Sequence, residues 1–417
     1  MESQADRSTF RSYLSFFTGQ QVSLLGSSVS QFAIIWWITE SAGKAEAPLY
    51  LAAASFMGFV PMILLTPVAG VFVDRWNRRL LIGLMDFLQA LATVVLILLF
   101  WFGFASLWLT MGLLAFKGIC QAFHAPAVQA IVPLMVPRDK LSRINGVNYF
   151  FMGAMTLMGP VVAASLLAFL RIDAVLWVDP VTFLIAVVPL LFIRIPSVRT
   201  EQEKPSFKSD FIGGFRFIKN AKGLMPMVGL ATALNFLLMP LATQVPYFIV
   251  FDHLGGAADM ALVMASMQAG MLVGGLMMIF LKDLKRKMKI IAGSLCVVFL
   301  AQALFAVTPM GWFWFMTVWA FVLDFFIAPA NVLLRTILQV VIPAEMQGRV
   351  NAVLTSLASA ASPVSMILSG VLVGAIGTVN LFLGCAAFGA LMLLLFWLFT
   401  NMRHLGKLAE DPSSQVQ

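Results

Sequence analysis

The chain of 417 residues is 61% hydrophobic and only 11% charged, with a formal net charge of +8. A water-soluble fold of this length has no means of hiding so much apolar surface, so the composition excludes one and points to a polytopic membrane protein. The basic residues fall almost wholly in alternate loops, a mark of membrane orientation that argues against a nucleic-acid partner.

Apolar runs of about 20 residues are long enough to cross the hydrocarbon core. Twelve are read in chain order: roughly 14–38, 48–73, 80–102, 105–131, 146–169, 173–194, 224–250, 259–281, 289–308, 312–338, 350–373 and 378–400. The first is too long, and too much like its successors, to be a cleavable signal peptide. Arginine and lysine cluster in the loops that share a side with the N-terminus, which predicts a multi-pass protein of the cytoplasmic (inner) membrane with both termini cytoplasmic. Cys120, Cys296 and Cys385 stand apart within apolar runs, without metal-ligand spacing or a disulfide framework.

The chain repeats itself. "HAPAVQAIVPLMVPRDKLSRINGV" is echoed half a chain later by "IAPANVLLRTILQVVIPAEMQGRVNAV", aligning Pro137 with Pro343, Asp139 with Glu345, Arg143 with Arg349 and Asn145 with Asn351. Twelve spans with this offset predict an all-α protein of two pseudo-symmetric six-helix bundles, residues 1–194 and 223–402, with a short cytoplasmic tail, 403–417. Transporters built of such repeats bind substrate near the midplane, where the repeats meet. Between the halves, segment 195–222 carries Phe207, Phe211, Phe215 and Ile218 at helical spacing among Lys208, Arg216, Lys219 and Lys222, an amphipathic helix on the inner membrane surface or a plain linker.

Polarity is distributed unevenly over the spans. The third, ninth and twelfth are nearly featureless, whereas helices lining an aqueous path need one polar face. The first span carries Gln20, Ser27 and Gln31; the fourth Lys117, Gln121 and His124; the seventh Thr232, Asn235, Thr243 and Gln244; the tenth Asp324, Asn331 and Arg335. In the first, fourth and tenth the spacings are three, four or seven, which keeps each set on one face. Gln20, Ser27, Gln31, Lys117, Gln121, His124, Asn235, Asp324, Asn331 and Arg335 are therefore the candidate substrate-cavity residues.

Asp324 and Lys117 lie near mid-span, where a charge costs roughly 2.5–3.5 kcal/mol on insertion scales. Either Asp324 binds protons and Lys117 faces substrate or a carboxylate, or both are static: Lys117 paired with Asp324, or Asp324 with Arg335. Asp86 is expected to pair with a loop arginine, with proton coupling as the alternative. Asp179 is open to either role, and His124 reads as a hydrogen-bonded structural histidine or a proton relay. Asp324, Lys117, Asp86 and Asp179 are the proton-coupling candidates.

"GVFVDRWNRR" joins the second and third spans. Headgroup anchoring explains its arginines but not Gly70 or Asp74. Gly70, one turn before Asp74, would let a neighbouring backbone approach, and Asp74 would then meet a helix N-terminus, a contact worth about 1 kcal/mol that forms in one conformation and breaks in another. Gly70, Asp74, Arg75, Arg78 and Arg79 in this spacing resemble the loop 2–3 signature of the major facilitator superfamily, G-x-x-x-D-R-x-x-R-R. The resemblance extends over the chain: twelve spans, two halves, a central loop. It implies that helices 1, 4, 7 and 10 line the central cavity, that Asp74 belongs to a latch favouring the outward-facing state, and that the protein is monomeric. The second half, "GGLMMIFLKDLKRK", keeps only a degenerate copy.

Within the superfamily, "GQQVSLLGSSVSQFAIIWWITESAGKA" and "AFHAPAVQAIVPLMVP" look like the drug:proton antiporter branch that contains macrolide-efflux proteins. Its fifth-helix motif, G-P-x-x-G-G, is matched in part by "GPVVAA", with Gly159 and Pro160 as the helix-bend pair. Lys117 stands where that branch carries a buried arginine.

The resemblance implies export of amphipathic or hydrophobic small molecules by proton antiport and alternating access, with no cofactor beyond the proton gradient. Export of an endogenous metabolite, such as a siderophore or lysophospholipid, is the alternative on the same fold. The sequence has no G-x-x-x-x-G-K-[ST] phosphate loop, no H-E-x-x-H and no nucleophile with an evident base, so nothing in it reads as an enzyme.

Overall fold

A computed structural model describes residues 7–193, 207–221, 223–281, 284, 286–343 and 346–400. They form fourteen α-helices, joined by a 3₁₀ turn at Arg138–Lys140 and a π-helical turn at Phe248–Asp252. An all-helical solution follows from the composition, because in hydrocarbon every backbone N–H and C=O must be satisfied within its own segment. The tail from 401 onward and residues 195–206 of the inter-half segment lie outside the described residues.

Helix α1, Arg7–Arg75, is far longer than one span requires. It is broken at Gly43, whose φ of 68° and ψ of 167° belong to conformations that glycine alone adopts freely. The break makes α1 two spans. Among the described residues eleven helices are long and apolar enough to cross a membrane, and with α1 counted twice the spans are twelve. Helices α2 (Arg78–Trp101) and α3 (Leu107–Met135) are the third and fourth. Each begins at a side-chain cap: Asn77 Oδ1 accepts from Arg79 N at 3.0 Å, and Ser106 Oγ from Leu109 N at 3.3 Å. The fifth is α4, Leu141–Leu167. The sixth is built from α5, Ile172–Leu176, and α6, Val178–Phe192.

After α7, Phe207–Asn220, the seventh span is α8, Leu224–Tyr247, with the π turn at its end. Then follow α9 (Ala257–Phe280), α10 (Lys287–Ala306) and α11 (Phe313–Val341). The eleventh span is α12, Gln347–Ala360, continued by α13, Ser362–Ile376, and the twelfth is α14, Thr378–Phe399.

The sequence repeat is also a repeat of local structure. Helix α3 ends at Val136 and α11 at Ile342, both extended residues that precede a proline. That conformation is the one proline imposes on its predecessor. In each copy the turn then closes three residues on, with Lys140 N donating to Pro137 O and Met346 N to Pro343 O, both at 2.9 Å. The next helix follows directly.

The chain divides into two compact units, Met1–Glu201 with Ile249–Ala265, and Gln202–Phe248 with Ser266–Gln417. Within the first, glycines set how closely helices approach. A Cβ on Gly118 of α3 would overlap the carbonyl oxygen of Gly58, and one on Gly159 of α4 would overlap the side chain of Ser28. Gly26 meets Thr182 in the same way, bringing the first span against α6. Within the second unit, Gly270 and Gly274 of α9 lie against the backbone of Phe321 and Phe325 on α11. Small residues at interfaces are how membrane helices gain close packing where lipid offers no hydrophobic drive. In α4 this is the office of Gly159, while Pro160 is buried inside a helix that runs on to Leu167.

Helix α7 belongs to the second unit. Ile218 is fully buried with Leu224, Met227, Val350 and Val353, and a Cβ on Gly214 would lie 2.8 Å from Arg349 O. The helix is therefore docked on α8 and α12. Its face is turned from the expected one: Phe215 projects outward with Ile212, Arg216 and Lys219, and Gly214 takes its place at the contact.

A stack of two polar layers in the first unit

Asp179, at the start of α6, is 4% exposed and saturated. Ser27 Oγ donates to its Oδ1 at 2.8 Å, while Thr93 Oγ1 at 2.6 Å and Lys117 Nζ at 2.9 Å reach Oδ2. Lys117 Nζ also donates to Thr93 Oγ1 at 3.0 Å. Four spans, the first, third, fourth and sixth, thus meet at one carboxylate. Gly26 makes the meeting possible, because a side chain there would hold the first span away from α6.

A second layer lies seven residues away on the three long helices. Gln20 precedes Ser27 by seven, Asp86 precedes Thr93 by seven, and His124 follows Lys117 by seven on the antiparallel α3. Seven residues are two turns, about 10 Å along the axis. Here Gln20 Nε2 donates to Asp86 Oδ2 at 2.9 Å, and His124 Nε2 lies 2.8 Å from Asp86 Oδ1. That approach brings the two groups within ion-pair range, but off the favoured hydrogen-bond direction.

Three expectations are corrected. Lys117 pairs with Asp179, not with Asp324. Asp86 pairs with His124 instead of a loop arginine, because it sits two turns inside α2 and faces α3. The third span is not featureless, since Asp86 and Thr93 give it one polar stripe, which its exposed leucines on the other side obscure.

The remaining candidates are dispersed. On the first unit Gln31 is exposed and Gln121 half-buried. On the second, Asn235, Asn331 and Arg335 are exposed, with Asn235 Nδ2 returning to Ala231 O at 2.9 Å. Thr232 and Gln244 are spent on packing: Thr232 Oγ1 reaches Leu357 O at 3.2 Å and Gln244 Nε2 reaches Ser369 Oγ at 3.1 Å. Ser365 Oγ donates to Phe236 O at 2.5 Å beside them. Asp324 is half-buried, and among the described residues no hydrogen bond or ion pair reaches it. It is therefore not paired with Arg335, eleven residues further along α11.

At the end of α1, the side chains of Asp74 and Arg75 lie outside the described residues. Arg79 Nη2 donates to Leu191 O, capping the end of α6, where a helix leaves its last carbonyls unpaired. Among the described residues, an added Cβ on Gly70 meets no atom within 4 Å.

Sequence reasoning overlooked Asp173, whose Oδ2 accepts from Trp101 Nε1 at 2.8 Å while Arg171 Nε lies 3.2 Å from Oδ1. It also overlooked Thr93, although the shared interval of seven on the first, third and fourth spans was available as a signal.

Twelve helical spans, a structural repeat and charges buried between helices define a membrane transporter. The Major Facilitator Superfamily profile matches residues 16–365, and the chain belongs to that family. Macrolide efflux protein A of Streptococcus pyogenes is 28% identical over 376 residues, 89% of this chain and 92% of that protein. Its counterpart from Enterococcus faecalis is 26% identical over 315 residues, 75% of this chain and 97% of that one. The multidrug efflux pump Tap of Mycobacterium tuberculosis is 24% identical, covering 87% of each. Among solved structures, a bacterial homologue of the iron transporter ferroportin, in an inward-facing state, superposes with a TM-score of 0.70 at 14% identity, covering 93% of this chain and 98% of that one. A D-xylose–proton symporter gives 0.67 at 14%, covering 94% and 99%. At these identities the superpositions establish the fold.

Proposed function

We infer that the protein exports amphipathic or hydrophobic small molecules by proton antiport, with both termini in the cytoplasm and as a monomer. The observation that carries this reading is Asp324, a carboxylate in the middle of the tenth span with no partner among the described residues. An unpaired carboxylate in low dielectric is costly when ionised, and binding a proton removes the cost. Efflux relatives, two called macrolide and one multidrug, support the substrate class. Gln31, Asn235, Asn331 and Arg335, exposed on their own units, are the polar groups proposed to meet substrate. Asp74, with Arg75, Arg78 and Arg79, is proposed as a conformational latch that closes in another state of the cycle. The membrane potential supplies about 2.3 kcal/mol per charge per 100 mV, so one or two protons suffice for substantial accumulation.

Drug susceptibility of cells expressing the protein tests the substrate class. Resistance to macrolides or lipophilic dyes is expected. Unchanged susceptibility with an altered extracellular pool of a siderophore or lysophospholipid would transfer the protein to the export of an endogenous product.

A further inference from the structure

The two polar layers of the first unit differ in charge balance. In the Asp179 layer one cation faces one anion, and the carboxylate accepts from three donors, Ser27, Thr93 and Lys117. The layer is neutral and complete, and neither gaining nor losing a proton improves it. In the Asp86 layer the carboxylate faces a neutral amide, Gln20, and an imidazole, His124. With the imidazole neutral, this layer holds an uncompensated negative charge between helices. With the imidazole protonated, it holds an ion pair of zero net charge. An uncompensated buried charge costs several kcal/mol, whereas an opposite charge at ion-pair distance recovers part of that cost. The two layers share three helices, so the comparison is made under nearly the same burial.

We propose that Gln20, Asp86 and His124 form a proton-binding site in the first unit, distinct from Asp324, with His124 as the group that gains and releases the proton. This rests on the proton-antiport reading for its role in transport, but not for its existence. The balance is simple. Nε2 carries a hydrogen and faces Asp86 Oδ1 at ion-pair distance in both states; the exchanged proton adds at Nδ1 to give the imidazolium and leaves from it. Facing His124 are Asp86 from α2 and Gln20 from α1; on α3 itself Cys120 lies one turn away and Lys117 two turns away, the latter already held by Asp179. Gln20 ties α1 to Asp86 of α2 whatever the state of the imidazole, so protonation changes chiefly the hold of α3 on α2.

The test uses the full chain in lipid nanodiscs and in proteoliposomes. In the first arm, ¹⁵N spectra of the histidines are recorded from pH 5 to 9, with the His124 signal assigned by its loss in His124→Gln. The expected result is a His124 that moves between imidazolium and neutral forms in this range, and whose transition shifts in Asp86→Asn. A His124 signal that stays in one form, or is indifferent to Asp86→Asn, overturns the proposal. In the second arm, a radiolabelled macrolide is followed under an imposed pH gradient and in counterflow without one. The ratio of gradient-driven accumulation to counterflow is expected to fall at least tenfold in His124→Gln and Asp86→Asn, and a wild-type ratio in both variants overturns the coupling role. If the wild-type protein itself shows no gradient-driven transport while His124 titrates as expected, the antiport reading fails and the proton site stands. If transport is gradient-driven and His124 does not titrate, the reverse holds.

Discussion

Lys117 on the fourth span and Asp179 on the sixth form an ion pair of 2.9 Å, with side chains 15% and 5% exposed. Because Ser27 and Thr93 bond the same carboxylate, the pair fixes four helices relative to one another. A charge-removing change at either partner strands the other. Lys117→Met or Asp179→Asn is expected to cost about 3–5 kcal/mol, whereas the double substitution recovers most of it. Thermal unfolding of the detergent-solubilised variants checks this. A loss in the double variant equal to the sum of the two single losses would mean that the pair contributes no coupling energy.

Close backbone contact at Gly118 gives a second expectation. Gly118→Ala forces a methyl into the carbonyl of Gly58 and is expected to destabilise by about 1–3 kcal/mol. Gly112, on the same helix, has open space where its Cβ would be, so Gly112→Ala is expected to be neutral or to stabilise by up to ~1 kcal/mol through helix propensity. The melting temperatures of the two variants, measured side by side, decide the matter.

Much of this architecture was legible in the sequence, for particular physical reasons. Span length and the Pro137 and Pro343 repeat are local or additive properties, readable without knowing which helices touch. The one-faced polarity of the first and fourth spans was readable too. The partner of Lys117 was not, because 62 residues and two loops separate it from Asp179, and helical periodicity fixes a face without saying which neighbour it meets. Asp324 and Lys117 both sit mid-span, which made pairing them natural, yet each lies in a different unit with its own environment. The position of α7 was misjudged by one residue, since Gly214 carries no hydrophobic signal although its lack of a side chain is what lets Ile218 dock.

Gly70 and Asp74 separate a static role from a conformational one. Gly70→Ala meets nothing in this structure and is expected to leave the melting temperature unchanged. If the loop closes as a latch elsewhere in the cycle, Gly70→Ala and Asp74→Asn both slow turnover several-fold while substrate affinity holds. Unchanged turnover in both would leave the loop with headgroup anchoring alone.

Docking of α7 makes a further expectation. Gly214→Leu cannot keep the approach to Arg349 O and is expected to release the helix from α12. Hydrogen exchange in 207–221 should then rise well above wild type, while exchange in α3 stays the same. Equal protection in both proteins would show that Ile218 alone holds the helix.

The central claim is that a proton gradient drives export and that Asp324 is required for it. Proteoliposomes carrying either the wild-type protein or Asp324→Asn, loaded with a labelled macrolide and given a pH jump, measure this directly. Wild type should concentrate the label in response to the gradient, and Asp324→Asn should lose that response while still binding the label. Gradient-driven transport of wild-type magnitude in Asp324→Asn would contradict it.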